Sequence, residues 1–352
     1  DLAKELEGAL SLGSRRPTFL LNGERRMGKT SVLQQLPYVL GSTYISVFYN
    51  LQQPGLYAST TTFLGALATG MQLALESRGI PVEKLAYETR RDDNRSYDAR
   101  IYRAFERWLA KVEAVLEREE RTLLLAFDEF EMLEEIEQAQ HMEVRPLLNW
   151  MRSVIQFHPR IALLFSGVKT FDEMGTQGGI DWTGYFINVQ MLRVSFLKPA
   201  EARHLILKPT PAYPGADIFP PEVVEMILVE TGCHPFLLQA VCSALITLLN
   251  VERRELATLD DVTQAGARVL SDWASHFTHL WNRTDEQQRA CLEALLAQPH
   301  PDIVWLAEHT SLDVKVVRRT MQHLLRRDLV VSASGETYGL AVPLFRRWLE
   351  NR

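Results

Sequence analysis

The 352-residue chain has only three cysteines and no long apolar run. By their spacing, Cys233, Cys242 and Cys291 form no metal-binding or redox pair, as is typical of a protein from a reducing compartment. The sequence contains no run of about 18 apolar residues and no secretory signal, so we expect no membrane insertion. These absences predict a cytoplasmic protein and argue against a disulfide-stabilised secreted domain.

An excess of basic residues is also missing, because the formal net charge is −6. The chain as a whole therefore has no field that attracts nucleic acid, and any such contact must come from a local patch. Hydrophobic residues make up 46% of the chain and charged residues 23%, as in an ordinary globular protein. The length is sufficient for two or three domains, and no internal repeat is visible.

The strongest motif in the chain is a phosphate-binding loop. Residues 23–30 read Gly-Glu-Arg-Arg-Met-Gly-Lys-Thr and match the pattern Gly-x4-Gly-Lys-Thr. The apolar residues 17–22 before it predict a strand, and residues 31–36 after it predict a helix that ends near Pro37. The glycines allow successive backbone N–H groups to point into one concavity at a helix N-terminus, where phosphates bind.

This motif predicts which residues hold ATP or ADP. Lys29 is expected to reach the β- and γ-phosphates, and the Thr30 hydroxyl is expected to bind Mg²⁺. The complete predicted set of nucleotide-binding residues in this segment is Gly23, Glu24, Arg25, Arg26, Met27, Gly28, Lys29, Thr30 and Ser31.

A second motif supplies the acidic groups that hydrolysis needs. Five apolar residues precede Asp128 and Glu129, which predicts a strand buried on both faces with an acidic pair at its C-terminal end. Asp128 is expected to hold Mg²⁺, and Glu129 is expected to polarise the attacking water. The alternative is a pair of solvated acids at the start of a helix.

Further strands are predicted over residues 43–49, 160–167 and 186–196, and amphipathic helices alternate with them. This alternation predicts a parallel, doubly wound sheet flanked by helices. Ser166 ends the strand over 160–167, at a position suited to sensing the γ-phosphate. An ordinary strand-ending turn is the alternative for Ser166, and the glycine-rich residues 174–182 are interpreted as a plain connector.

The remaining chain is predicted to be mostly helical. Helices are expected over 201–207, 220–231, 235–250, 258–270, 285–297, 303–309 and 313–327, followed by a hairpin over 329–341. The predicted fold class is therefore α/β, with a P-loop NTPase sheet domain at 1–197, a helical lid domain at 198–280 and a winged-helix domain at 281–352. Because residue 1 is Asp and not Met, we expect the chain to be either an excised fragment or a processed product, with partner domains outside it.

Taken together, these segments resemble one family. The loop, the Leu-Leu-Leu-Ala-Phe-Asp-Glu-Phe strand, the segment Thr-Gly-Cys-His-Pro-Phe-Leu-Leu-Gln at 231–239 and the terminal winged helix are similar to STAND-class ATPases of the AAA+ superfamily, close to archaeal-type ATPases. The resemblance covers essentially the whole chain. It implies a slow ATPase that serves as a molecular switch in signalling or defence, with nucleotide-dependent domain rearrangement or oligomerisation and with sensor or effector domains as partners.

The resemblance also implies roles for residues outside the loop. Pro235 would lie near the adenine and His234 would approach the phosphates, although His234 could instead cap a helix. The family usually has Gly where this chain has Cys233, and a Phe-x-Gly-Arg segment that precedes the first helix in relatives is not found here. Arg145 and Arg152 are candidates for an arginine finger, against the alternative of a solvated helix face.

Several alternatives remain open at this point. Arg25 and Arg26 either steer the triphosphate or form an ion pair. The winged helix either packs between domains or binds DNA through its basic third helix, as in initiator or transposition-regulator ATPases. The basic residues of that helix are Lys315, Arg318, Arg319, Arg326 and Arg327. A third possibility is a nucleotide-binding scaffold that no longer hydrolyses ATP. The lack of an Asn-Lys-x-Asp segment favours ATP over GTP.

Overall fold

The computed structural model describes residues 2–11, 17–86, 99–139, 142–174, 180–186, 188–210, 213, 215–333 and 336–352. Most of the glycine-rich connector at 174–182 lies outside these residues. The chain divides into two compact units, Asp1–Val194 and Ser195–Arg352. The boundaries predicted at 197 and 280 stay predictions.

The first unit contains a five-stranded parallel sheet, which confirms the predicted fold class. Its elements in chain order are α1 (Leu2–Ser11), β1 (Thr18–Asn22), α2 (Lys29–Val39), β2 (Tyr44–Asn50), a 3₁₀ turn (Pro54–Tyr57), α3 (Thr60–Glu76), α4 (Ala99–Arg118), β3 (Thr122–Asp128), α5 (Met132–Gln138), α6 (Val144–Phe157), β4 (Ile161–Gly167), α7 (Phe171–Met174), α8 (Trp182–Tyr185) and β5 (Val189–Arg193). The strand order is β2-β3-β4-β1-β5. The strand that precedes the phosphate loop is therefore separated from the acidic strand by β4.

Both faces of this sheet are covered by helices. Alternate side chains of each strand enter different apolar clusters, as expected when successive residues of a strand face opposite sides. For example, Leu125 and Phe127 join the cluster that includes α3, α4 and α6, whereas Leu124 and Ala126 join the cluster that includes α1 and α2. Because β3 is buried along its whole length, it is apolar without interruption from Leu123 until Asp128.

The helix after the loop ends at Val39, close to the end predicted near Pro37. Pro37 lies in the last turn, so its missing N–H removes a single hydrogen bond, and the Leu40 N–H still donates to the Leu36 carbonyl at 3.0 Å.

The second unit is helical with one hairpin. Its elements are α9 (Pro199–Leu207), α10 (Gly215–Ile218), α11 (Pro221–Thr231), α12 (Pro235–Glu252), α13 (Leu259–Asp272), α14 (Ala274–Asn282), α15 (Glu286–Ala297), α16 (Ile303–Thr310), α17 (Val314–Arg326), β6 (Val330–Ala333), β7 (Thr337–Leu340) and α18 (Pro343–Glu350). One apolar cluster extends through this unit, from Ala202 in α9 to Leu349 in α18. Helices α10, α14 and α18 were not predicted from the sequence.

Within the described residues, α12 is the one helix that is long and apolar enough to cross a membrane by length and composition. Its buried side chains include Leu237, Leu238 and Leu245, which belong to the apolar cluster of the second unit. This packing accounts for its apolar composition.

Candidate functional site

The phosphate loop joins β1 to α2, and its backbone depends on two glycines. A Cβ on Gly23 would overlap the Val194 carbonyl oxygen, so no other residue fits there. Gly28 has a φ of 93° and stands at the N-cap of α2, a conformation that favours glycine. Arg26 also has a positive φ, of 67°. The loop is therefore curled directly in front of a helix N-terminus, where backbone N–H groups favour anions.

Lys29 is folded back over this loop. It is only 5% exposed, and its Nζ donates to the carbonyl oxygens of Gly23 at 2.8 Å and Glu24 at 3.1 Å. Burial lowers the pKa of Lys29, while nearby carboxylates, Glu129 first among them, act in the opposite direction. The ammonium thus lies between the loop and a group of acids.

Three side chains from separate elements meet at the C-terminal edge of the sheet. The Thr30 hydroxyl donates to Asp128 Oδ2 at 2.6 Å, and the Ser166 hydroxyl donates to Asp128 Oδ1 at 2.7 Å. Asp128 is 2% exposed and Ser166 is fully buried. The pairing of β3 with β4 sets Asp128 opposite Ser166, and the pairing of β4 with β1 sets Ser166 opposite Leu21.

These oxygen atoms suit a hard divalent cation. Thr30 supplies a hydroxyl and Asp128 a carboxylate, and Mg²⁺ commonly takes one or two protein oxygens and completes its shell with water and phosphate oxygens. No group of three or more His, Cys, Asp or Glu side chains that could hold a metal is found in the described part of the chain. The donors fit a Mg²⁺ ion that takes its remaining ligands from water and phosphate oxygens.

Glu129 follows Asp128 with a left-handed backbone, at φ 55°. Burial raises its pKa, as do Glu131 and Asp128, whereas Lys29 and Arg25 act to lower it. A carboxylate in such surroundings accepts a proton more readily than an exposed one, which suits a group that orients and polarises water.

Two polar residues near the site, Glu131 and Asn22, were not predicted from the sequence. Glu131 Oε1 accepts hydrogen bonds from the backbone N–H groups of Val168 and Lys169, the latter at 2.8 Å. Asn22 Nδ2 donates to the Val168 carbonyl at 3.0 Å. Both side chains hold the segment that follows β4. The available signal was the third acid in the run Asp-Glu-Phe-Glu.

The four candidate arginines of the first unit differ in their surroundings. Arg25 and Arg26 are exposed, and Arg25 is close enough to Glu129 to affect its pKa. Arg145 Nε lies 3.7 Å from Glu137 Oε1, and Arg152 is half-buried on α6. The remaining loop residues differ in exposure: Glu24 and Met27 are buried, whereas Ser31 is exposed.

His234 and Pro235 belong to the second unit. His234 is 4% exposed and stands at the N-cap of α12, with Pro235 as the first helical residue. Gly232 and Cys233 before it are both left-handed, with φ values of 56° and 58°. The His234 ring lies 5.6 Å from the His276 ring. The position at the helix start is observed, and the contact of either residue with a nucleotide stays a prediction.

The basic side chains of α17 have different surroundings. Arg318 forms an ion pair with Glu336 on the hairpin turn. Arg327, just after the helix, donates to the Arg283 carbonyl at 2.9 Å and so supports the fold of the second unit. The exposed basic residues of α17 are Lys315, Arg318, Arg319 and Arg326.

Comparison with known proteins shows the fold. No family model matches the chain, and no curated protein matches it by sequence. Its structure is similar to the Walker-type ATPase of Pyrococcus abyssi, with a TM-score of 0.59 and 13% identity over 99% of this chain and 94% of the other. It is also similar to the ORC2 protein of Aeropyrum pernix in its ADPNP–ADP complexes, with a TM-score of 0.57 and 15% identity over 99% and 91%.

Proposed function

We propose that this chain is an ATPase of the AAA+ superfamily that operates as a STAND-type switch in signalling or defence. The observation that carries the proposal is the convergence of Thr30 and Ser166 on Asp128, beside a glycine-constrained loop that contains Lys29. These side chains come from three different elements. Each side chain is of a residue type that binds phosphate or magnesium in phosphoryl-transfer enzymes.

The roles follow from the chemistry of each group. The loop N–H groups and Lys29 would bind the phosphates, and the ammonium would exchange the carbonyls of Gly23 and Glu24 for phosphate oxygens. Thr30 and Asp128 would hold Mg²⁺, which when bound neutralises charge on the β- and γ-phosphates. Glu129 would orient and polarise the attacking water, and Ser166 would fix the Asp128 carboxylate.

The similar structures support the nucleotide class. The name of the Aeropyrum pernix structure records ADPNP and ADP, an ATP analogue and the product of ATP hydrolysis. The Pyrococcus abyssi structure is named as an ATPase. Both cover nearly the whole chain, so ATP, ADP and Mg²⁺ are the ligands that we propose here.

In the proposed switch, nucleotide state sets the arrangement of the sheet unit and the helical unit. A ligand shifts such an equilibrium only through different affinities for the two states, so ADP and ATP must favour different arrangements. The ADP form would be closed and monomeric, and the ATP form would self-associate or engage an effector. Slow hydrolysis would reset the switch, and His234 and Pro235 would report on the nucleotide from the helical unit.

A second candidate function is an ATP-dependent DNA-binding protein of initiator or transposition-regulator type. The favourable observation is the exposed basic set on α17, which includes Lys315 and Arg319. Against it, Glu336 already pairs with Arg318, and residues 332–337 of the hairpin contain no Lys or Arg to contact phosphates. The net charge of −6 also opposes general attraction to DNA.

Titration calorimetry with MgATP and MgADP tests the proposal. Wild-type protein should bind both, and Lys29→Ala should weaken ATP binding by at least about tenfold through the loss of a charge-assisted contact. Lys111→Ala is the matched control, because Lys111 is exposed on α4 and pairs with Glu83. No heat of binding to the wild type, with no difference for Lys29→Ala, would refute the proposed function. Competition with GTP would test the preference for adenine.

A further inference from the structure

The Glu131 carboxylate connects the end of β4 to the turn that follows β3. Its Oε1 accepts hydrogen bonds from two consecutive backbone N–H groups, those of Val168 and Lys169. Two donors on a single carboxylate oxygen restrain both the side chain and the segment that donates. Glu131 therefore joins the chain just after Glu129 to the chain just after Ser166.

This connection supports an unusual backbone conformation. Glu129 has a φ of 55°, a left-handed conformation that is unfavourable for a residue with a side chain. On its C-terminal side, the Phe130 N–H donates to the Ser166 carbonyl at 3.2 Å, and Glu131 makes the two hydrogen bonds just described. These contacts with the end of β4 hold the turn in which Glu129 is placed.

The Glu131 carboxylate packs closely against the backbone at Gly167. A Cβ on Gly167 would overlap the Glu131 carboxylate, so the close approach requires glycine at that position. Within the described residues, Glu131 Oε2 is buried without a hydrogen-bond partner. A buried acceptor without a partner destabilises a fold, and such departures from good packing are concentrated at functional sites.

We propose that Glu131 is a positioning residue for ATP hydrolysis: it holds Glu129 in its left-handed conformation by binding the backbone of Val168 and Lys169. The inference rests on the proposed function. Glu131 itself is not assigned any contact with the nucleotide, and its effect is exerted through the placement of Glu129.

Two variants separate the effect of the Glu131 side-chain length from the effect of its charge. Glu131→Gln keeps the length and a carbonyl oxygen that accepts both N–H groups, but it removes the charge. Glu131→Asp keeps the charge but withdraws the carboxylate by one methylene. Misplacement of a reacting group by about 1 Å can lower a rate about 100-fold. We therefore expect kcat to fall about 10- to 100-fold in Glu131→Asp and Glu131→Ala, and to stay within about threefold in Glu131→Gln.

The assays are phosphate release, titration with MgADP, thermal melting and hydrogen exchange at Val168 and Lys169. ADP affinity should be unchanged in all variants, and the two amides should exchange faster in Glu131→Asp than in Glu131→Gln. Glu135→Ala is the matched control, since Glu135 is exposed on α5. In a Glu129→Gln background, Glu131→Ala should cause no further loss of turnover, because there is no carboxylate left to position.

The outcomes separate the two proposals. If Glu131→Gln loses as much activity as Glu131→Ala while Glu131→Asp stays active, the charge matters and positioning through hydrogen bonds is refuted. A loss of MgADP affinity, or an unchanged kcat in Glu131→Ala, also overturns it. If wild-type protein releases no phosphate, the proposed function fails first, and the role of Glu131 fails with it.

Discussion

Replacement of Ser166 by alanine should slow ATP hydrolysis without unfolding the protein. The Ser166 hydroxyl donates to Asp128 Oδ1 at 2.7 Å, and both residues are buried. A hydrogen bond to a charged group contributes about 1.5–3 kcal/mol. If that stabilisation is needed to hold the Asp128 carboxylate for Mg²⁺, its loss corresponds to a fall in kcat of about 10- to 100-fold. Binding of ADP without Mg²⁺ should not change, because it depends on the loop.

The assay is steady-state phosphate release at saturating MgATP, with thermal melting to verify folding. Ser46→Ala is the matched control: Ser46 lies on β2, and its hydroxyl has no hydrogen-bond partner in the described structure. Ser46→Ala should therefore retain wild-type turnover. A folded Ser166→Ala protein whose kcat stays within about threefold of the wild type would show that the hydrogen bond to Asp128 does not support catalysis.

Three further predictions concern other groups. Glu129→Gln should bind ATP but hydrolyse it at least about 100-fold more slowly, since an amide polarises water poorly; phosphate release measures this, and unchanged turnover would remove Glu129 from the mechanism. Hydrogen bonds from Arg254 lower the pKa of Asp261 from 3.8 to about 2. The ionised carboxylate therefore stabilises the fold above about pH 4, and this stabilisation is lost as the pH falls towards 2. Urea unfolding of Asp261→Asn between pH 2 and 6 should therefore show a weaker pH dependence than that of the wild type, and equal curves would contradict this. If the second candidate function holds, Arg318→Ala with Arg319→Ala should weaken DNA binding and reduce its salt dependence in an anisotropy titration, whereas no binding by the wild type would reject that function.

The phosphate loop and the acidic strand were accessible from sequence because their determinants are local. Gly28 must adopt a positive φ where a strand turns sharply into a helix, and that requirement depends on a few neighbouring residues. The apolar residues before Asp128 indicated a strand buried on both faces, as the structure shows. Helix α18 was missed although it starts at Pro343 and buries Leu344, Phe345 and Leu349. A helix of eight residues depends on tertiary packing, here in the apolar cluster of the second unit.

The sequence by itself determined the chemistry that is present: a glycine-constrained loop, a lysine and threonine at a helix start, and two acids at the end of an apolar strand. Only the tertiary structure decided which of these groups meet. The strand order inserts β4 between β1 and β3, which brings Ser166 to Asp128 and Glu131 to Val168. The two residues of the first contact are 38 positions apart in the chain, and those of the second are 37 positions apart. Their geometry depends on how the strands pair rather than on any local pattern.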